Sequence, residues 1–110
     1  MVRYVFLNAL PLNSLKIDRP VKLVVTPVNP QVLKQLVPEM KPRVSYIRHP
    51  ATVKMLNKLF GLDLDVSSGL YSYQPGDVLY VVTLRRPIRG AEVENVTIED
   101  VLIYQVEVVE

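Results

Sequence analysis

The single histidine of the chain, His49, stands directly before Pro50, and its last three basic residues, Arg85, Arg86 and Arg89, crowd into one short segment. These are residue types that handle phosphate. An Arg48-His49-Pro50 sequence reads as a helix start, with proline at the first helical position. It would set an imidazole beside unpaired backbone N–H groups and the positive end of the helix dipole. Such a terminus is a natural anion site. An imidazole next to a bound phosphate can protonate a departing oxygen as general acid. Arg48 adds a permanent charge. In Arg85-Arg86-Pro87-Ile88-Arg89-Gly90 the guanidinium groups can grip phosphate in a bidentate manner, and Gly90 allows backbone geometry closed to other residues. A lone histidine is more often filler than catalyst, and arginines flanking a strand end are ordinarily a solvated turn. Position is what lifts both above those readings, since ligand sites of open α/β sheets gather beyond the carboxyl ends of strands.

What is missing narrows the chemistry. There is no cysteine, which excludes disulfides, zinc–thiolate sites and thiol catalysis, and one histidine leaves a zinc centre short of its usual ligands. No metal and no cofactor are therefore expected. Ser14, Ser45, Ser67, Ser68 and Ser72 share that one histidine as a possible base, so no protein nucleophile stands out. A reaction needing neither nucleophile nor metal fits best, and cleavage of RNA by its own 2′-hydroxyl is such a reaction. Six tyrosines and scattered basic residues could equally bind RNA without cutting it.

The chain of 110 residues has the size of one domain, 1–110, and buries about two thirds of its unfolded surface. Hydrophobic residues make up 49% and charged residues 22%, an ordinary globular composition. No apolar stretch reaches the ~20 residues of a membrane span, and the N-terminal apolar run breaks too early for a secretory signal. A cytoplasmic protein with no membrane partner is expected. Nine prolines, no cysteine and many valines and arginines would suit a thermophile. The net charge is only +2 but its distribution is uneven. Residues 1–60 carry ten Lys or Arg against Asp18 and Glu39, a balance of +8; residues 61–110 carry nine acids against the three arginines, −6.

The elements that must position these groups alternate without a linker or repeat. Arg3–Leu7 reads as a first strand and Val21–Thr26 as a second. Asn8 to Leu15 reads as a turn or one helical turn. Asn29-Pro30 opens a helix over Gln31 to Val37 that stops before Pro38. Lys41 to Val44 reads as a basic connector. The His49-Pro50 helix carries Val53, Leu56, Leu59 and Phe60 on one face and ends at Gly61. Leu64 to Tyr73 reads as a strand, bulged near Ser68-Gly69, and Gln74 to Asp77 as a turn. Val78–Leu84, apolar on both faces, should be the central strand. Thr97 and Asp100 form a capping pair, and Val101–Val109 a last strand. The fold class is α/β: a mixed five-stranded sheet flanked by two or three helices.

Four segments of the chain together resemble the viral anti-CRISPR ring nucleases of archaeal viruses, which degrade cyclic oligoadenylate signals of type III CRISPR immunity. Tyr4 to Leu10 is similar to their opening strand and asparagine turn at Asn8. Ser45-Tyr46-Ile47-Arg48-His49-Pro50-Ala51-Thr52 is similar to their serine, x, isoleucine, glycine, histidine, x, x, threonine pattern. Gly76 to Val82 is similar to their central strand, and Arg86 to Gly90 to their arginine, leucine, x, glutamate, glycine. The resemblance implies a homodimer binding cyclic tetra-adenylate across its two-fold axis, with no long nucleic acid as partner. It further implies metal-independent cleavage by the ribose 2′-hydroxyl, with His49 as general acid and Arg86 on the phosphate. Asn8, Arg48, Arg85 and Arg89 are then candidate substrate contacts. The chain departs from the pattern at Arg48 (glycine), Pro11 (serine), Arg89 (glutamate) and Ser67-Ser68 (asparagine-arginine).

Overall fold

The computed structural model of the chain describes residues 2–67, 69–85 and 96–109. Its strands are β1 (Arg3–Leu7), β2 (Lys22–Val28), β3 (Arg43–Ser45), β4 (Asp77–Leu84) and β5 (Val101–Val109), and its helices are α1 (Pro30–Leu36) and α2 (Pro50–Phe60). They form one five-stranded sheet in the order β2-β5-β4-β1-β3. β1 runs parallel to β3 and to β4, while β5 is antiparallel to both β4 and β2. Four strands thus point one way and β5 alone runs back, which makes the sheet mixed. The carboxyl ends of β1, β2, β3 and β4 all emerge along the same edge.

The two faces of the sheet are covered differently. Strand residues alternate between faces, and Phe6, Tyr80, Val82, Val101 and Ile103 meet the helices through Leu33, Val53, Leu56 and Phe60. On the opposite face, Val5, Leu7, Leu79 and Val106 are covered by Leu15 and Tyr71, which come from irregular segments. β4 is the middle strand of the five, as its apolar run implies.

Local chemistry explains most element ends. The Asn29 side chain accepts the Gln31 N–H at 2.8 Å and so caps α1, with Pro30 at the first position. The chain then continues across Pro38 in a short 3-10 turn, Val37–Glu39, rather than stopping before it. α2 ends where Gly61 takes φ +67°, a left-handed conformation that favours glycine. β2 runs through Pro27, which a strand at the sheet edge can tolerate because the missing N–H faces no neighbour. Leu12–Leu15 forms a single 3-10 turn. Thr97 and Asp100 cap another reciprocally, with the Thr97 N–H on Asp100 Oδ2 at 3.0 Å.

Two expectations are corrected. Lys41 to Val44 is not merely a connector, because Arg43–Ser45 pairs with Tyr4–Phe6 as an edge strand. Leu64 to Tyr73 is not a strand in its described residues. Its apolar residues do not share a face: Leu64 is buried against the helices and Tyr71 on the opposite side of the sheet. Its backbone is held by other means. Asn57 donates to Leu64 O at 2.9 Å and accepts the Leu64 N–H at 2.8 Å, while the Ser67 N–H reaches Ile47 O at 3.0 Å. The proposed bulge residue Ser68 lies outside the described residues.

Candidate functional site

The segment between β3 and α2 is fixed before any ligand arrives. The Tyr46 N–H donates to Phe6 O at 3.1 Å, and the Ile47 N–H donates to the buried Ser45 Oγ at 3.1 Å. Ile47 is fully buried, which turns its neighbours Tyr46 and Arg48 the other way. His49 is the N-cap of α2 in extended conformation, and its carbonyl accepts the Val53 N–H at 3.1 Å. Its imidazole makes no cap hydrogen bond and is exposed, so it is not consumed in holding the helix.

His49 opens into a cleft of about 590 Å³ built from four pieces of chain. The end of β1 gives Leu7, Asn8 and Ala9; the following loop gives Pro11, Asn13, Ser14 and Lys16; the β3–α2 junction gives Tyr46, Arg48 and His49; residues 69–72 close the last side. The two loops are joined, since the Tyr73 N–H donates to Ser14 O at 2.8 Å and Ser14 Oγ donates to Pro11 O at 2.6 Å. Lys16 and Arg48 contribute two permanent cations, and no carboxylate lines the cleft among the described residues. A helix N-terminus and two cations, with no acid among the described lining residues, are electrostatics that suit an anion. Among the described residues no cluster of three or more His, Cys, Asp and Glu could hold a metal ion. No helix there is long and apolar enough to cross a membrane.

Of the residues singled out from sequence, Asn8, Arg48 and His49 are brought together here. Arg85 is not. It lines a separate cleft of about 450 Å³ with Asn29, Gln31 and Tyr104, its Nε donating to Glu99 O at 2.9 Å and its backbone N–H to Asp100 O at 2.9 Å. Arg86 and Arg89 lie outside the described residues. Sequence reading passed over Lys16, Tyr46 and Tyr71. Lys16 carries the positive φ of 54° that ends its 3-10 turn, a feature that no sequence motif announces.

Behind the cleft sits a buried ion pair. Asp77, whose side chain is 3% exposed, accepts Arg3 Nε at 2.9 Å, Arg3 Nη2 at 2.8 Å, the Tyr71 hydroxyl at 2.5 Å and the Gln74 N–H at 3.2 Å. Burial alone would raise its carboxyl; the hydrogen bonds from Arg3, Tyr71 and Gln74 outweigh it and hold the group below the usual aspartate value. The hydrogen bond to Asp77 likewise raises Arg3, and burial together with the same carboxylate raises the Tyr71 phenol. Tyr71 in turn meets Tyr46 edge to face at 5.1 Å between ring centres.

A model of the STIV B116-like proteins matches residues 6–107, a span that contains every residue of the cleft. The chain belongs to the STIV B116-like family. Among solved structures, B116 of Sulfolobus turreted icosahedral virus (STIV) is similar with a TM-score of 0.73, at 16% sequence identity, covering 96% of this chain and 98% of that one. At that identity the likeness is one of fold, and the fold shared is the whole domain of the STIV B116-like proteins. No curated protein matches the chain.

Proposed function

We propose that this member of the STIV B116-like family is a ring nuclease that binds cyclic oligoadenylate, cyclic tetra-adenylate first of all, in the His49 cleft. The observation that carries the reading is His49 at the N-cap of an eleven-residue helix, uncommitted to capping, in a cleft lined by Lys16, Arg48 and Asn8 and by no carboxylate among the described residues. Phosphate would sit at the helix terminus and beside the cations. The ribose 2′-hydroxyl would then attack the adjacent phosphorus in line, and the P–O5′ bond would break. His49 would give a proton to the departing 5′-oxygen. The 2′-hydroxyl proton would pass to water, leaving a linear oligoadenylate with a 2′,3′-cyclic phosphate. Neither a metal ion nor a protein nucleophile takes part in this scheme. Arg86 is assigned to the charge that builds on the phosphate and Arg89 to an outer contact, while Arg85, turned to the Glu99 carbonyl in a separate cleft, takes no part. Two copies around one ring would form a homodimer of the isologous kind.

Incubating the pure protein with cyclic tetra- and hexa-adenylate in chelator tests this directly. Linear products ending in 2′,3′-cyclic phosphate support the reading, and failure to bind either ring ends it. Small-angle scattering that gives a monomer at micromolar concentration would count against the dimer. A second reading, a binder that sequesters the ring uncut, is favoured by one observation: among the described residues the cleft holds a single imidazole and no carboxylate to work with it. Binding without product would establish that reading instead.

A further inference from the structure

Two aromatic rings line the His49 cleft, and they differ in how far they are covered. Tyr71 is 8% exposed and behaves as a packing residue. Tyr46 is partly open to the cleft although its chain neighbours Ser45 and Ile47 are buried. The Tyr46 backbone is fixed by the bond from its N–H to Phe6 O at 3.1 Å, and its ring by the edge contact with Tyr71 at 5.1 Å. The ring that Tyr46 leans on is itself anchored, since the Tyr71 hydroxyl donates to Asp77 of the buried ion pair. A tyrosine needed only to fill space would be covered as Tyr71 is. This one is held rigid at both ends and left accessible between a helix terminus and the cations Arg48 and Lys16.

From this geometry we infer that Tyr46 is a nucleobase-stacking residue, held in position by Tyr71 and the Arg3–Asp77 pair, so that base and phosphate of one nucleotide are gripped side by side. The inference rests on the nucleotide reading of the cleft and adds a base subsite to it. A ring already immobilised loses little rotamer entropy when a ligand arrives. Aromatic stacking accepts any base through its π face, and one stacked base is typically worth roughly tenfold or more in affinity.

The test uses the full chain and two simple probes, adenosine 5′-monophosphate and ribose 5-phosphate, which share a phosphate and differ in the base. Calorimetric titration should show the nucleotide bound roughly tenfold more tightly than the sugar phosphate. Tyr46→Phe should keep that preference, and Tyr46→Leu should lose it while binding ribose 5-phosphate as before. On the wild-type protein, where folding is not in question, adenine protons should shift upfield and show cross-relaxation to the Tyr46 ring. Equal affinity for the two probes, a preference that survives Tyr46→Leu, or no contact from adenine to Tyr46 would each overturn the inference. If the nucleotide preference holds but no cyclic oligoadenylate binds, the base subsite stands and the ring-nuclease reading falls. If the ring is cut equally well by wild type and Tyr46→Leu, the reverse is true. Binding of neither nucleotide nor ring overturns both.

Discussion

Asp77→Asn tests whether the ion pair behind the cleft holds the fold together. The two carboxylate oxygens divide their work: Oδ1 takes Arg3 Nε, while Oδ2 takes Arg3 Nη2, the Tyr71 hydroxyl and the Gln74 N–H. An amide offers one acceptor and one NH2, so in either orientation its NH2 faces an Arg3 N–H. The bidentate grip is lost and a donor is set against a donor. Breaking a buried pair typically costs 3–5 kcal/mol. Arg3 remains 24% exposed and can recruit water, so the lower end applies, about 3 kcal/mol. For a domain of this size that is a fall of roughly 15 °C in melting temperature by circular dichroism. The chain supplies its own control. Arg43 and Asp63 form a pair of nearly the same length, 2.9 Å against 2.8 Å, but the Asp63 side chain is 79% exposed. Asp63→Asn should leave the melting point within about 2 °C, because exposed pairs contribute little. The effect of Asp77 also has a pH signature. Its folded-state value lies below the unfolded one of about 3.9, so its contribution is present above that pH and is lost as pH falls through the folded value. The gap between wild type and Asp77→Asn should therefore be constant from pH 7 to 5 and shrink below about pH 4. Equal losses from Asp77→Asn and Asp63→Asn, or a gap that ignores acid, would refute the reasoning.

His49→Ala should lower ring cleavage by roughly 100- to 10,000-fold while leaving ring affinity nearly intact, since the imidazole acts chiefly in the transition state; single-turnover kinetics and equilibrium binding separate the two. Arg48→Ala should weaken binding of anionic probes and flatten its salt dependence, measured by titration at two ionic strengths. Gly61→Ala should cost about 1 kcal/mol in urea unfolding, because φ is +67° and a methyl group there would meet nothing within 4 Å, leaving backbone strain as the whole effect. Asn29→Ala should cost about 1 kcal/mol through the lost cap on α1, seen in the same assay.

The parts of the fold written in local chemistry were legible from sequence. β1 and β5 have the bounds that their apolar runs imply, and the proline-opened helices begin at Pro30 and Pro50. The misread parts depend on distant partners. A three-residue strand such as Arg43–Ser45 is too short to show alternation, and it exists because β1 offers an open edge. Leu64 to Tyr73 has the composition of a strand but spends its apolar residues on opposite faces, with the Asn57 side chain serving as ladder for Leu64. The site divides in the same way. His49 and Arg48 could be found because a helix start is a local signal. Tyr46 and Tyr71 owe their setting to Arg3 and Asp77, 74 positions apart, and no local spacing carries that. Arg85 was grouped with its neighbours by sequence, yet its guanidinium is turned to the Glu99 carbonyl.

The reversed strand has a consequence for how the molecule is made. Among the described residues β2 pairs with β5 alone, residue for residue from Lys22↔Val109 to Val28↔Ile103, although 75 to 87 positions separate the partners. During synthesis β2 emerges early and stays unpaired until β5 leaves the ribosome. Val24 and Val25 are exposed in the finished protein and would be bare on an open edge throughout that wait. β1, β3 and β4 can assemble beforehand, since their pairings with one another do not involve β5. Closure of the sheet is thus a late, long-range event of the kind that slows folding. A stop codon shortly before β5 would not trim the domain but leave a three-stranded sheet, β4-β1-β3, with β2 as a lone strand beside it.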